Sequence, residues 1–281
     1  MNVLSVEGLE KRYPAFELKN ISFSVRDGEI MGFIGRNGAG KTTTLKSLLN
    51  FVHPDSGLIQ FFGLPFLENE LAIKQRIGFV SGGVDYYMRS KLHTITAATR
   101  RFYSSWDDAA YHKYLKTFEL DENKTPSQLS AGMKVKYSLA LALSHHAEFL
   151  MMDEPTSGLD PVSRSELLDI FLALAKDGVS ILFSTHITSD LDNCADRITY
   201  IRAGEIVASE ELDTFTERYR LVSYTSEQVT SSLRPLLIGE KTAKHGYTAL
   251  LKTEDLPLVS IATTPADLET IMVHLEKEMA L

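Results

Sequence analysis

The chain has 281 residues, 44% of them hydrophobic, enough for one large domain or a domain with a smaller companion. Its 29 Lys and Arg stand against 37 Asp and Glu, a net charge of −8, which argues against a general nucleic-acid binder. A single cysteine, Cys194, excludes an internal disulfide and fits a reducing, cytoplasmic setting. No charged-then-apolar leader opens the sequence and no run approaches the ~18 apolar residues of a membrane span, so any membrane role is expected to come through a partner.

In chain order, Ile21, Phe23 and Val25 alternate with polar residues, the period of a half-buried antiparallel strand. Residues 30–34 are almost continuously apolar, as in a strand buried on both faces. After a glycine-rich loop, Leu45, Leu48, Leu49 and Val52 fall at i, i+3, i+4 and i+7, which predicts a helix with one buried face. The stretch 85–120 reads as mostly helical. Residues 149–152 predict a second buried strand ending in Asp153 and Glu154, and Leu167, Phe171 and Leu174 mark one face of a helix. A third strand, 181–183, runs into Ser184, Thr185 and His186, and 198–202 with 205–208 read as a hairpin turning at Ala203-Gly204. Beyond about Leu212, the segments 221–225, 247–251 and 258–262 predict strands, and Leu268, Ile271, Met272 and Leu275 a helix. The expected division is 1–212, with a helical part at about 83–145, and a small α+β unit at 213–281.

Residues 35–42, Gly-Arg-Asn-Gly-Ala-Gly-Lys-Thr, match G-x-x-x-x-G-K-[ST] between a buried strand and an amphipathic helix. Glycines let backbone N–H groups turn in around phosphate oxygens, and the helix N-terminus adds partial positive charge. Lys41 is placed to reach the β- and γ-phosphates and Thr42 to ligate Mg²⁺. Gly35, Asn37, Gly38, Gly40, Lys41, Thr42 and Thr43 are therefore the candidate nucleotide-binding residues.

Asp153 and Glu154 end a buried strand. Behind a phosphate loop, an aspartate there holds Mg²⁺ through water, and a glutamate on the other side of the strand polarises an attacking water. The alternative for the pair is an acidic turn capping a strand. His186, ending the next strand, is either an ordinary boundary residue or a contact to the γ-phosphate. His145 and His146 lack such a context and are taken as structural.

The ordered set of the phosphate loop, Leu129-Ser130-Ala131-Gly132-Met133, Asp153-Glu154, Ser157-Gly158-Leu159-Asp160 and His186 closely resembles the nucleotide-binding domains of ATP-binding cassette (ABC) proteins, over roughly residues 1–212. The resemblance implies an α/β phosphate-loop ATPase with an antiparallel β subdomain, a helical subdomain and, here, a small C-terminal α+β extension. It implies ATP and Mg²⁺ as cofactors, Thr42 and Asp153 at the metal, and Glu154 and His186 as the catalytic pair. Ser130 caps a helix whose buried face is Val135, Leu139, Ala142 and Leu143. In the family, the elements matching Ser130 and Gly132 meet the γ-phosphate held by the opposite subunit of a head-to-tail dimer, and the residue matching Asp160 couples the two sites. Tyr13 occupies the place of the adenine-stacking aromatic, and is equally readable as a turn aromatic before Pro14.

Two departures stand out. Gly82 falls where the family usually has a Gln that reaches the metal and the water, with Asp85 three residues on, and Met133 replaces a frequent Gln. The expected result is intact ATP binding with slow hydrolysis or unusual coupling. The resemblance is to exporter ATPases of bacterial drug- and peptide-transport systems, which work beside an integral-membrane subunit at the inner face of the cell membrane. An importer subunit, a soluble non-transport ATPase and a slowly hydrolysing nucleotide sensor are the alternatives. The aromatic run Phe102-Tyr103-Ser104-Ser105-Trp106 either lines the groove for the membrane subunit or packs an ordinary helical subdomain.

Overall fold

The computed structural model describes residues 1–81, 87–231 and 233–278 and divides the chain into two compact units, 1–209 and 210–281. In the first unit, strands β1 (Asn2–Tyr13) and β2 (Phe16–Arg26) pair antiparallel across a turn that sets Tyr13 opposite Phe16. β3 (Ile30–Ile34) is buried at every residue and leads through the glycine-rich loop into α1 (Lys41–Leu48). The predicted continuation of α1 to Val52 does not form: Leu49 is its C-cap and Asn50 turns left-handed at φ 59°. β4 (Ser56–Phe61), β5 (Leu64–Pro65), α2 (Phe66–Lys74) and β6 (Ile77–Ser81) follow.

The region read as mostly helical holds two short helices, α3 (Leu92–Thr99) and α4 (Asp108–Thr117), with 100–107 largely irregular between them. With α5 (Ala131–Ser144) they share a buried polar knot. The Thr96 hydroxyl lies 2.8 Å from both the Tyr111 and Tyr137 hydroxyls, and Tyr137 donates to the Leu92 carbonyl at 3.0 Å. Burying three hydroxyls is tolerable because each has partners. β7 (Phe149–Asp153), α6 (Pro161–Lys176), β8 (Ser180–Thr185), α7 (Thr188–Cys194), β9 (Arg197–Arg202) and β10 (Glu205–Glu211) complete this part of the chain. Ala203 and Gly204 both take positive φ, 48° and 79°, as a tight hairpin turn between twisted strands requires.

Among the described residues the strands of this part form two sheets, antiparallel β2-β1-β4-β5 and the larger β10-β9-β3-β8-β7-β6, in which β9, β3, β8, β7 and β6 are parallel. One apolar core joins them: Leu4, Leu18 and Ile21 meet Phe33, Leu45, Phe149 and Leu182, all buried. Among the described residues no helix is long and apolar enough to cross a membrane.

The second unit begins at Glu210 rather than at 213, because α8 (Leu212–Glu217) packs with β11 (Tyr219–Tyr224), the Phe215 and Tyr219 rings lying 5.7 Å apart. β12 (Ile238–Ala243), β13 (Gly246–Lys252), β14 (Thr263–Pro265) and α9 (Leu268–Glu278) complete it, in the strand order β12-β13-β11-β14. The strand expected at 258–262 is not one. Residues Thr253–Leu258 form a 3-10 turn containing Pro257, which donates no backbone bond, and pairing resumes only at Thr263.

Candidate functional site

Strand order places the site. β8 lies between β3 and β7, with Ile34 opposite Thr185 and Ser184 opposite Asp153. The carboxyl ends of three neighbouring parallel strands therefore deliver the glycine-rich loop, Asp153-Glu154 and Ser184-Thr185-His186 to one edge, where open α/β sheets bind ligands.

The loop is held down by close packing. A Cβ at Gly35 would stand 2.3 Å from the Ile201 carbonyl oxygen, and one at Gly40 would stand 2.6 Å from Leu18 Cδ2 and 2.9 Å from Phe16 Cζ. Gly40 also takes φ 117°, a conformation that side chains with a Cβ rarely adopt. The tip of the β9–β10 hairpin supports the loop, Gly204 N–H donating to the Ala39 carbonyl at 3.0 Å. Phe16, Leu18 and Ile201 thus make a floor that sequence reading did not single out.

Asn37, Gly38 and Thr42 are exposed, Thr43 is half-buried and Lys41 is only 5% exposed. Lys41 Nζ donates to the carbonyls of Gly35 at 2.8 Å and Arg36 at 3.3 Å, and lies 3.3 Å from Glu154 Oε1. The other oxygen of that carboxylate is 3.3 Å from His186 Nδ1. One carboxylate is therefore gripped between the loop's lysine, more than a hundred residues before it in sequence, and the histidine beyond the next helix and strand.

Glu154 faces the loop for a different reason from the strand alternation expected of it. β7 ends at Asp153 and Glu154 turns left-handed at φ 49°. Ser184 holds that turn, its hydroxyl accepting from Glu154 N–H at 3.0 Å and donating to Asp153 Oδ1 at 2.6 Å. Its carbonyl accepts from the same N–H at 3.1 Å. Ser184 is fully buried, and it is a site residue that sequence reasoning missed. The available clue was a serine directly after the apolar run 181–183, one residue from a threonine and two from His186.

Asp153 and Thr42 offer hard oxygen donors, and among the described residues no cluster of three or more His, Cys, Asp or Glu side chains makes an all-protein metal cage. That donor set fits Mg²⁺, which keeps waters and takes phosphate oxygens alongside one or two protein ligands.

A second group forms at two helix N-termini. Ser130 is the N-cap of α5, accepting from Met133 N–H at 3.2 Å, and α5 buries Val135, Leu139, Ala142 and Leu143. Asp160 caps α6, accepting from the N–H groups of Val162 at 3.0 Å and Ser163 at 3.1 Å. The Ser163 hydroxyl adds a bond at 2.6 Å, and these donors hold the Asp160 carboxyl below its ordinary range. A Cβ at Gly132 would lie 3.5 Å from Ser163 Cβ, so the two caps are neighbours. Exposed Ser130 and Asp160 thus share one surface of donor-rich helix ends.

Tyr13, 44% exposed, ends β1 at the turn, with Lys11 Nζ 5.8 Å from its ring centroid. Gly82 and Asp85 lie outside the described residues. The aromatic run divides: Phe102 is 76% exposed, whereas Tyr103 stacks on His145 at 3.7 Å and Trp106 donates to Asp108 at 2.8 Å. Burial pushes the His145 imidazole down to about 4, and the group is structural, as expected. His146 lies 3.6 Å from Asp107.

A family model described as "ABC transporter" matches residues 18–157. The bacitracin transport ATP-binding protein BcrA of Bacillus licheniformis is 30% identical over 243 residues, 85% of this chain and 79% of its own. The Nod factor export ATP-binding protein I of Burkholderia orbicola is 35% identical over 215 residues, 73% of this chain and 69% of its own. A solved structure described as the ATP binding subunit of an ABC transporter superposes with a TM-score of 0.68 at 27% identity, covering 75% of this chain and 91% of that one. The floor under the phosphate loop, the carboxylate between Lys41 and His186, and these relatives agree: the chain belongs to the ABC transporter family, as an ATP-binding subunit that hydrolyses ATP.

Proposed function

We propose that this subunit powers an exporter of antibiotics or amphipathic peptides, working as a head-to-tail dimer on a separate integral-membrane subunit at the inner face of the cell membrane. The observation that carries the catalytic part is the Glu154 carboxylate held 3.3 Å from both Lys41 and His186. On ATP binding, the backbone N–H groups of residues 35–40 and the start of α1 take the phosphates, and Lys41 exchanges Glu154 for phosphate oxygens. Thr42 and Asp153 would hold Mg²⁺, which neutralises phosphate charge when bound. Released from Lys41, Glu154 orients the attacking water, and His186 donates to the γ-phosphate. Tyr13 stacks on the base.

The surface shared by Ser130 and Asp160, with Gly132 packed between their helix ends, supports the dimer. A capped helix end with a neighbouring capped end suits the γ-phosphate of a second copy, so each site is completed in trans. Export is favoured by relatives named for bacitracin transport and Nod factor export. Exposed Phe102 is a candidate contact for the membrane subunit.

The test uses a tagged Glu154→Gln chain in its native cell, with membranes solubilised in ATP and Mg²⁺. A stoichiometric multi-span membrane protein is expected to co-purify. Recovery with ribosomes or DNA, or of the chain by itself, contradicts the transport reading.

A further inference from the structure

Asp190 is fully buried, lies outside the catalytic cluster described above and is not used by the proposed mechanism. Its Oδ2 accepts from the Thr156 hydroxyl at 2.6 Å and the Thr185 hydroxyl at 3.4 Å, and its Oδ1 lies 3.8 Å from Arg164 Nε. Each partner belongs to a different functional segment. Thr156 is two residues beyond Glu154. Thr185 immediately precedes His186, and its hydroxyl also accepts from Ile187 N–H at 2.9 Å, fixing the turn that presents the histidine. Arg164 stands in the first turns of α6, its N–H donating to the Asp160 carbonyl at 3.0 Å.

We propose that Asp190 is a positioning residue for hydrolysis, tying the Glu154 segment, the His186 segment and the Asp160-bearing end of α6 into one rigid piece. A buried carboxylate is costly to desolvate, and apolar residues of similar volume often serve stability as well, so stability alone does not call for a charge here. The backbone already joins two of these segments, Glu154 N–H donating to the Ser184 carbonyl at 3.1 Å, and the charge adds a side-chain tie that extends to Thr156, Thr185 and Arg164. Through Arg164, the α6 end that faces a second copy in the dimer is linked to the two groups that act on the γ-phosphate. The proposal rests on the assignment of Glu154 and His186 made above.

The test measures kcat and KM for ATP hydrolysis, the Kd of a fluorescent ATP analogue and thermal melting on the full chain. Asp190→Asn is expected to lower kcat at least tenfold while the Kd stays within twofold. Thr156→Val, which removes one donor and leaves the carboxylate paired with Thr185 and Arg164, is expected to lower kcat about threefold. Asp190→Glu keeps the charge on a longer stem, at a position that borders the 230 Å³ cleft between α6 and α7. It is expected to regain at least half of the parent kcat. Parent kcat in Asp190→Asn overturns the proposal, as does a Kd that loosens by the same factor as kcat, or an Asp190→Glu no faster than Asp190→Asn. Should Asp190→Asn fail to fold, Thr156→Val decides, parent kcat there overturning the idea. Glu154→Gln run alongside separates the two levels. Parent turnover in that variant removes the underlying site assignment, whereas a dead Glu154→Gln beside a fully active Asp190→Asn removes this proposal alone.

Discussion

Replacing Gly204 with alanine tests whether the phosphate loop depends on the hairpin behind it. Gly204 takes φ 79°, and a Cβ there would lie 1.8 Å from the Glu17 carbonyl oxygen and 2.9 Å from its carbon, both backbone atoms that cannot swing aside. The left-handed conformation costs an L-residue ~1 kcal/mol, and overpacking against backbone adds ~1–3 kcal/mol. For a unit the size of 1–209, the sum corresponds to a melting point lower by roughly 5–15 °C. Gly178→Ala is the control, because Gly178 takes φ 90° with nothing within 4 Å of its would-be Cβ. It carries the conformational cost alone, a drop of roughly 2–4 °C. Scanning calorimetry of the full chain, with and without ATP, identifies the transition that responds to nucleotide. Because Gly204 N–H donates to Ala39, Gly204→Ala is also expected to weaken ATP binding, and Gly178→Ala to leave it unchanged. Melting of the two variants within about 2 °C of each other would refute the reasoning.

Three other outcomes are expected. Tyr13→Ala should weaken ATP binding by ~1–3 kcal/mol while Tyr13→Phe binds like the parent, and equal affinity of all three removes the stacking role. Ser184→Ala should lower kcat roughly tenfold, about 1.4 kcal/mol of barrier, and raise the Mg²⁺ concentration needed for half-maximal rate, since Asp153 loses its donor; an unchanged Mg²⁺ titration contradicts this. Burial keeps His145 neutral down to about 4, whereas the unfolded chain takes up that proton near 6.5. The stability tied to the neutral ring is therefore present above pH 6.5 and lost as pH falls towards 4, on the order of 3 kcal/mol over that window. His145→Phe, which preserves the stack on Tyr103, should flatten the dependence of melting on pH between 6.5 and 4, and a parent-like slope counts against burial as its source.

The parts of the fold that bear on nucleotide were the parts most open to sequence reading. β3 and β8 are buried at every position, with apolar runs at 30–34 and 181–183 that the sequence displays, and the residues ending them carry chemistry that an ordinary turn does not need. What stayed hidden depends on contacts between distant segments. Ile201 becomes part of the loop's floor only because β9 pairs with β3. Asp190 lies one helical turn before buried Cys194, on the same face of α7, a placement that marks an aspartate as internal but not what it binds. Asn50 ends α1 against the apolar spacing, since the pattern counts Val52 but not the left-handed residue that breaks the helix. In the second unit, β12 escaped notice because most of its residues are exposed and only Ile238 and Ala243 carry apolar side chains, with a register shift between Ile238 and Lys241. Its Gly239 lies so close to α9 that a Cβ would stand 1.8 Å from the His274 carbonyl oxygen.

In the proposed mechanism Glu154 acts on ATP held by the loop at Lys41, in a site completed by a second copy. The most direct measurement is ATP binding, turnover and mass in solution for purified Glu154→Gln. Parent-like affinity is expected, with turnover lowered at least a hundredfold, about 2.7 kcal/mol of barrier, and a dimer in ATP and Mg²⁺ that reverts to monomer when nucleotide is removed. Hydrolysis at the parent rate, or a tightly ATP-loaded chain that stays monomeric, would contradict it.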